Sequence, residues 1–110
     1  MKFKQGVPDD CGPNDYMAGN KGDVDNRILQ AREIYDELLV FYFGQGEGVI
    51  TSTKDGTHKK GSKHYKVPRT GEDWRFPDLF RNMLFDLQAR LKEIGVEVIL
   101  EKDHFHCEVK

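Results

Sequence analysis

Twice in this 110-residue chain an apolar stripe of helical spacing stops at a glycine and gives way to a short β-branched run. The first stripe is Ile28, Ala31, Ile34, Tyr35, Leu38, Leu39 and Tyr42, the three- and four-residue spacing of one helix face. Asp23 or Asp25 can cap its start, and the helix should run to about Phe43, where Gly44, Gly46 and Gly48 end it. Val49, Ile50, Thr51 and Thr53 then predict a strand over 48–53. The second stripe is Leu79, Phe80, Met83, Leu84, Leu87 and Leu91, opened by Pro77 and Asp78 and stopped by Gly95. A strand over 96–100, a tight turn at 101–103 and a strand over 104–109 follow as a hairpin. The order helix, strand, loop, helix, hairpin predicts an α+β fold with two main helices on a small antiparallel sheet.

A chain of this length carries one domain with a small core, taken as residues 1–110. Residues 1–23, rich in Gly, Pro, Asn and Asp, read as an irregular segment packed on that core through Phe3, Tyr16 and Met17. Residues 54–75 read as a long polar loop, a length that small domains seldom keep unless the loop is functional or disordered. The formal charge of −2 disfavours a nucleic-acid partner bound mainly by charge. The longest apolar stretch, residues 38–43, is far too short for membrane insertion, and no secretory signal follows the basic start. Synthesis in the cytoplasm is therefore expected. Cys11 and Cys107 do not make a disulfide framework, although one bridge between them stays possible. Cys107 reads as a buried small hydrophobe, and Trp74 and Phe76 as core anchors.

All four histidines lie in the second half: His58, His64, His104 and His106. On a strand, His104 and His106 point to one face while Phe105 points to the other. That geometry suits metal ligation, but an isolated His-x-His is a weak motif, and a solvated strand face is its ordinary reading. His64 and Asp73, nine residues apart, say little alone. With one histidine of the hairpin pair they offer two imidazoles and a carboxylate, an open three-ligand set for catalytic zinc.

Ser62-x-His64-Tyr65, then Asp73-Trp74-Arg75, then Asp103-His104-Phe105-His106 resembles the zinc D-alanyl-D-alanine carboxypeptidase and endopeptidase family. That family includes phage endolysins, and it shares its fold and ligand set with the signalling domain of hedgehog proteins. The lead-in over 50–61 and the ending His104-Phe105-His106-Cys107-Glu108-Val109-Lys110 are also similar, so the resemblance spans roughly residues 24–110. The His64-to-Asp73 spacing is two residues longer than the family pattern, read as an insertion after Tyr65 turned at Pro68. Glu72 and Asp78 are the substitutes should Asp73 not be the acidic ligand.

The resemblance implies zinc on His64, Asp73 and His106. It implies a general base three residues before the last ligand, Asp103, with Glu101 as the competitor. Asp103 can serve only if 101–103 is a turn that reorients it, because in a continued strand it would face away from His106. Acidic residues also commonly occupy solvated hairpin turns. His104 would lie beside the ligands or stabilise the transition state, and His58, Lys60 or Arg75 could supply a cation for the substrate oxyanion. The implied activity is hydrolysis of a peptide bond in peptidoglycan stem or cross-link peptides by a monomeric enzyme acting on the cell wall or associated with a virion. The rivals are a non-catalytic zinc-binding interaction or virion-assembly module of the same fold, and a zinc-free structural domain.

Overall fold

The computed structural model describes residues 1–7, 24–52, 70–76 and 81–110. Seven elements follow in order: β1 (Lys2–Phe3), α1 (Asn26–Phe43), β2 (Val49–Ser52), β3 (Gly71–Trp74), α2 (Arg81–Glu93), β4 (Val96–Leu100) and β5 (Phe105–Val109). They build an α+β fold in which a five-stranded sheet has the order β1-β2-β3-β5-β4. Among the described residues, no helix is long and apolar enough to cross a membrane.

The punctuation read from the sequence sets the helix ends. Asp25 caps α1, its carboxylate accepting from the Arg27 backbone N–H at 2.8 Å. Gly44 closes the helix in the left-handed conformation (φ 79°), and its N–H donates to the Val40 carbonyl at 2.8 Å. Gly48 is needed for a different reason. A Cβ there would stand 2.7 Å from the Tyr35 ring, so only glycine lets the chain enter β2 this close to α1. The hairpin of β4 and β5 pairs Val96 with Val109 and Leu100 with Phe105.

Three sequence expectations are corrected. The leading segment is not wholly irregular, because Lys2 and Phe3 form β1, parallel to β2 with Phe3 opposite Ile50. The sheet is consequently mixed rather than antiparallel. The polar stretch expected over 54–75 ends in a strand, β3, which sits in the middle of the sheet between β2 and β5. Gly-Glu-Asp-Trp has no apolar alternation, so nothing in its local pattern marks a strand. The expected opening of the second helix at Pro77 and Asp78, residues 54–69 of the expected loop, Thr53 of the expected strand, and Tyr16 and Met17 lie outside the described residues.

Both helices pack on one face of the sheet, and α1 also packs on α2. Ile50, Trp74, Phe105, Cys107, Val109, Val96 and Val98 meet Ile28, Tyr35, Leu38, Met83, Leu87 and Leu91 in a single core. Tyr35 makes edge contacts with Trp74 and Phe105, with ring centroids 5.1 and 6.2 Å apart, and its hydroxyl donates to the Arg75 carbonyl at 2.6 Å. Trp74 is a core anchor, Phe76 packs partly buried against the same cluster, and Cys107 is a buried free cysteine, as expected from the sequence.

One charged pair lies inside this core. Glu72 is fully buried and receives a two-pronged ion pair from Arg32 of α1, Nε to Oε2 at 2.8 Å and Nη2 to Oε1 at 2.5 Å. The Trp74 indole N–H donates to Glu72 Oε2 at 2.6 Å, and the Arg32 guanidinium lies 5.4 Å from the centre of the Phe3 ring. Removing one partner leaves the other charge buried and uncompensated, which costs about 3–5 kcal/mol. Glu72→Ala and Arg32→Ala should each lose stability of that order in denaturant unfolding. The double replacement Arg32→Met with Glu72→Leu should lose clearly less than the sum of the two. Additive losses would show that the two charges do not depend on each other.

Candidate functional site

On each strand, successive side chains alternate between faces. With Glu72 and Trp74 turned towards the helices, Asp73 of β3 points to the opposite face, which neither α1 nor α2 covers. With Phe105, Cys107 and Val109 turned inwards, His104, His106 and Glu108 point to that same face. The pairing of β3 with β5 sets Asp73 directly opposite His106. The sequence expectation that the two histidines share a face opposite Phe105 is met.

The contacts run in a line across this face. Asp103 Oδ1 lies 2.6 Å from His104 Nδ1. His104 Nε2 lies 3.5 Å from Asp73 Oδ2. Asp73 Oδ1 lies 3.0 Å from His106 Nδ1, and His106 Nε2 lies 3.1 Å from Glu108 Oε1. The Lys110 ammonium sits 3.9 Å from Glu108 Oε2 and 2.9 Å from Glu97 Oε1. Asp73 is buried, whereas Asp103 is exposed.

The residues before β5 form a turn and not a continued strand. The Glu101 N–H donates to the His104 carbonyl at 2.9 Å, and β5 begins only at Phe105. The Asp103 carboxylate is thereby brought to His104 instead of continuing the strand alternation. Glu101, the competing base, is exposed in the same turn.

Charge follows from these contacts. Its hydrogen bond with Asp73 holds the His106 pKa above the usual 6.5; burial opposes this, and Glu108 adds to it. The hydrogen bond with His104 holds the Asp103 carboxyl below its usual 3.8. Burial pushes the Cys107 thiol well up, so it is a core side chain and not a thiolate donor.

Of the expected zinc ligands, Asp73 and His106 are brought together. His64 lies outside the described residues, as do His58, Lys60 and Asp78. Among the described residues, no three His, Cys, Asp or Glu side chains are grouped to hold a metal ion. The two donors that are present fit zinc in chemistry and spacing. Tetrahedral ligands each about 2.0–2.1 Å from zinc stand about 3.3 Å apart, close to the 3.0 Å between His106 Nδ1 and Asp73 Oδ1. Glu72 is excluded as a substitute ligand, because its carboxylate is spent on Arg32 and Trp74 on the core side. Arg75 lines a cleft of about 600 Å³ with Tyr35, Leu39, Phe43, Gly48 and Phe76, which none of Asp73, His104 and His106 lines. Two partners of the site escaped the sequence reading. Glu108 carried a signal, its place two residues beyond His106 on the same strand face. Arg32 carried none, lying 40 residues from Glu72.

No protein-family profile, curated protein or solved structure matches this chain.

A histidine whose folded-state pKa is raised adds stability that is complete below its unfolded value and fades as pH rises through the folded one. In chelator-treated protein, the stability advantage of wild type over His106→Gln should therefore shrink as pH rises above 6.5. Thermal unfolding of both proteins across that range measures it, and an advantage that grows with pH would contradict the ionic contact of His106 with Asp73.

Proposed function

We propose that this chain is a zinc-dependent peptidase that hydrolyses a peptide bond in bacterial cell-wall peptidoglycan, with the fold of the D-alanyl-D-alanine peptidases and hedgehog signalling domains. The observation that carries the reading is the meeting of Asp73 and His106. They are 33 residues apart in sequence, directly opposite on neighbouring strands, and in contact at 3.0 Å on the face turned away from α1 and α2. These are two of the three ligands that the resemblance implies, and the pairing of β3 with β5 juxtaposes them. The cell wall or a virion is the place of action consistent with such a substrate.

Asp73 and His106, with His64, would hold the ion. When bound, zinc polarises the scissile carbonyl and makes water nucleophilic near pH 7. Asp103 is the base: its carboxylate would accept a proton from the attacking water and return it to the leaving amine. His104, held by Asp103 on one ring nitrogen and facing Asp73 with the other, would lie beside the ligands.

Purified protein should bind about one equivalent of zinc, as a single three-ligand site requires. His64→Ala and His106→Ala should abolish tight binding, whereas Cys107→Ser should not. Full retention in His106→Ala would remove that ligand and promote His104. Asp103→Ala should keep the metal and lose about 10²–10⁴-fold in turnover on purified peptidoglycan, the usual worth of a positioned acid–base group. Glu101→Ala should cost much less, and the reverse ranking would move the base to Glu101. Zinc binding without turnover in wild type would make the chain a non-catalytic zinc module.

A further inference from the structure

The His106 imidazole lies between two carboxylates, with Asp73 at Nδ1 and Glu108 at Nε2. A neutral imidazole has one N–H and one lone pair. It can donate to one of these carboxylates, and its lone pair must then face the other. Lone pair against carboxylate at about 3 Å is repulsive unless a cation lies between them or the ring takes a second proton. The site therefore has one side suited to a proton and one suited to a cation, and the surroundings of the two carboxylates tell them apart.

On the Glu108 side a positive charge is already present. The Lys110 ammonium stands 3.9 Å from Glu108 Oε2 and would repel a divalent ion. On the Asp73 side a second imidazole converges, His104 Nε2, at 3.5 Å from Asp73 Oδ2. Nitrogen and oxygen donors thus gather around Asp73, while Glu108 is left to accept a hydrogen bond. Glu108 is mostly shielded, with its side chain 18% exposed, so that hydrogen bond is only partly in competition with water.

We infer that Glu108 is the positioning residue of this site: it accepts the Nε2–H of His106 and so turns the Nδ1 lone pair towards Asp73 to receive a divalent cation. This rests on the proposed metal site and adds which nitrogen of His106 is the ligand and what selects it. An outer carboxylate that fixes the tautomer of a ligating histidine is worth about 10–100-fold in metal affinity. The selection is local, because Glu108 is two residues from His106 on one strand face and the β-strand spacing alone brings them together.

The test is zinc binding by chelator competition on the full chain, with ¹⁵N spectra of the zinc-loaded protein to read the state of each His106 nitrogen. Wild type should show a protonated Nε2 and a metal-bound Nδ1. Glu108→Ala should weaken zinc binding about 10–100-fold. Glu108→Gln, whose amide oxygen still accepts from Nε2–H, should recover most of that loss. Glu97→Ala, which removes the carboxylate opposite Glu108 on β4, should leave affinity unchanged and controls for general loss of negative charge. Unchanged affinity in Glu108→Ala, equal losses in Glu108→Gln and Glu108→Ala, or zinc on Nε2 would overturn the role of Glu108 while leaving the metal site standing. Wild-type protein that takes up no zinc would overturn the metal site and this role with it.

Discussion

The buried pair of Arg32 and Glu72 governs the parity of β3. This strand is only four residues long and carries two acidic side chains in succession, Glu72 and Asp73. Either could face the core in principle, and a slip of one residue would exchange them. The guanidinium of Arg32, already committed to the core side by α1, supplies the charge-matched partner for a buried carboxylate among the described core residues. Glu72 takes that partner, Trp74 joins the same face, and Asp73 is left on the opposite one. The ion pair is therefore less a source of net stability than a selector of register, since a well-packed apolar pair could stabilise as much.

From that parity the rest of the site follows. β3 pairs with β5 so that Asp73 lies across from His106, and the alternation of β5 brings His104 and Glu108 to the same face. The turn at 101–104 then delivers Asp103 to His104. A chain of acid and imidazole groups results, Asp103, His104, Asp73, His106 and Glu108, with each contact between 2.6 and 3.5 Å. Such a line of alternating acids and bases on a partly shielded face is the kind of place where charge states are tuned by neighbours. The raised pKa of His106 and the lowered pKa of Asp103 are its two expressions.

Division of labour between the two sheet faces is complete along β5. Phe105, Cys107 and Val109 are buried against the helices, and the intervening His104, His106 and Glu108 carry the polar contacts. Edge contacts of Tyr35 with Trp74 and Phe105 tie α1 to β3 and β5 at the level of the Asp73 and His106 pair. The polar face is thus mounted on fully buried core side chains, which limits how far its donors can drift.

What the sequence by itself determined are the features that depend on near neighbours. The extent of α1, its Asp25 cap and Gly44 stop, the β4–β5 hairpin, and the shared face of His104 and His106 all arise from residues a few positions apart, where backbone period and turn chemistry decide. The inward place of Trp74 and Cys107 was legible for the same reason, as large or apolar side chains in a polar surrounding. Tertiary structure alone decided β1 and β3, the mixed character of the sheet, and which of Glu72 and Asp73 faces the site. Lys2-Phe3 and Gly-Glu-Asp-Trp have no strand pattern of their own, and they become strands because neighbouring strands satisfy their backbone groups. The choice between two adjacent acids was set by an arginine 40 residues away, a distance over which only the folded core can carry the information.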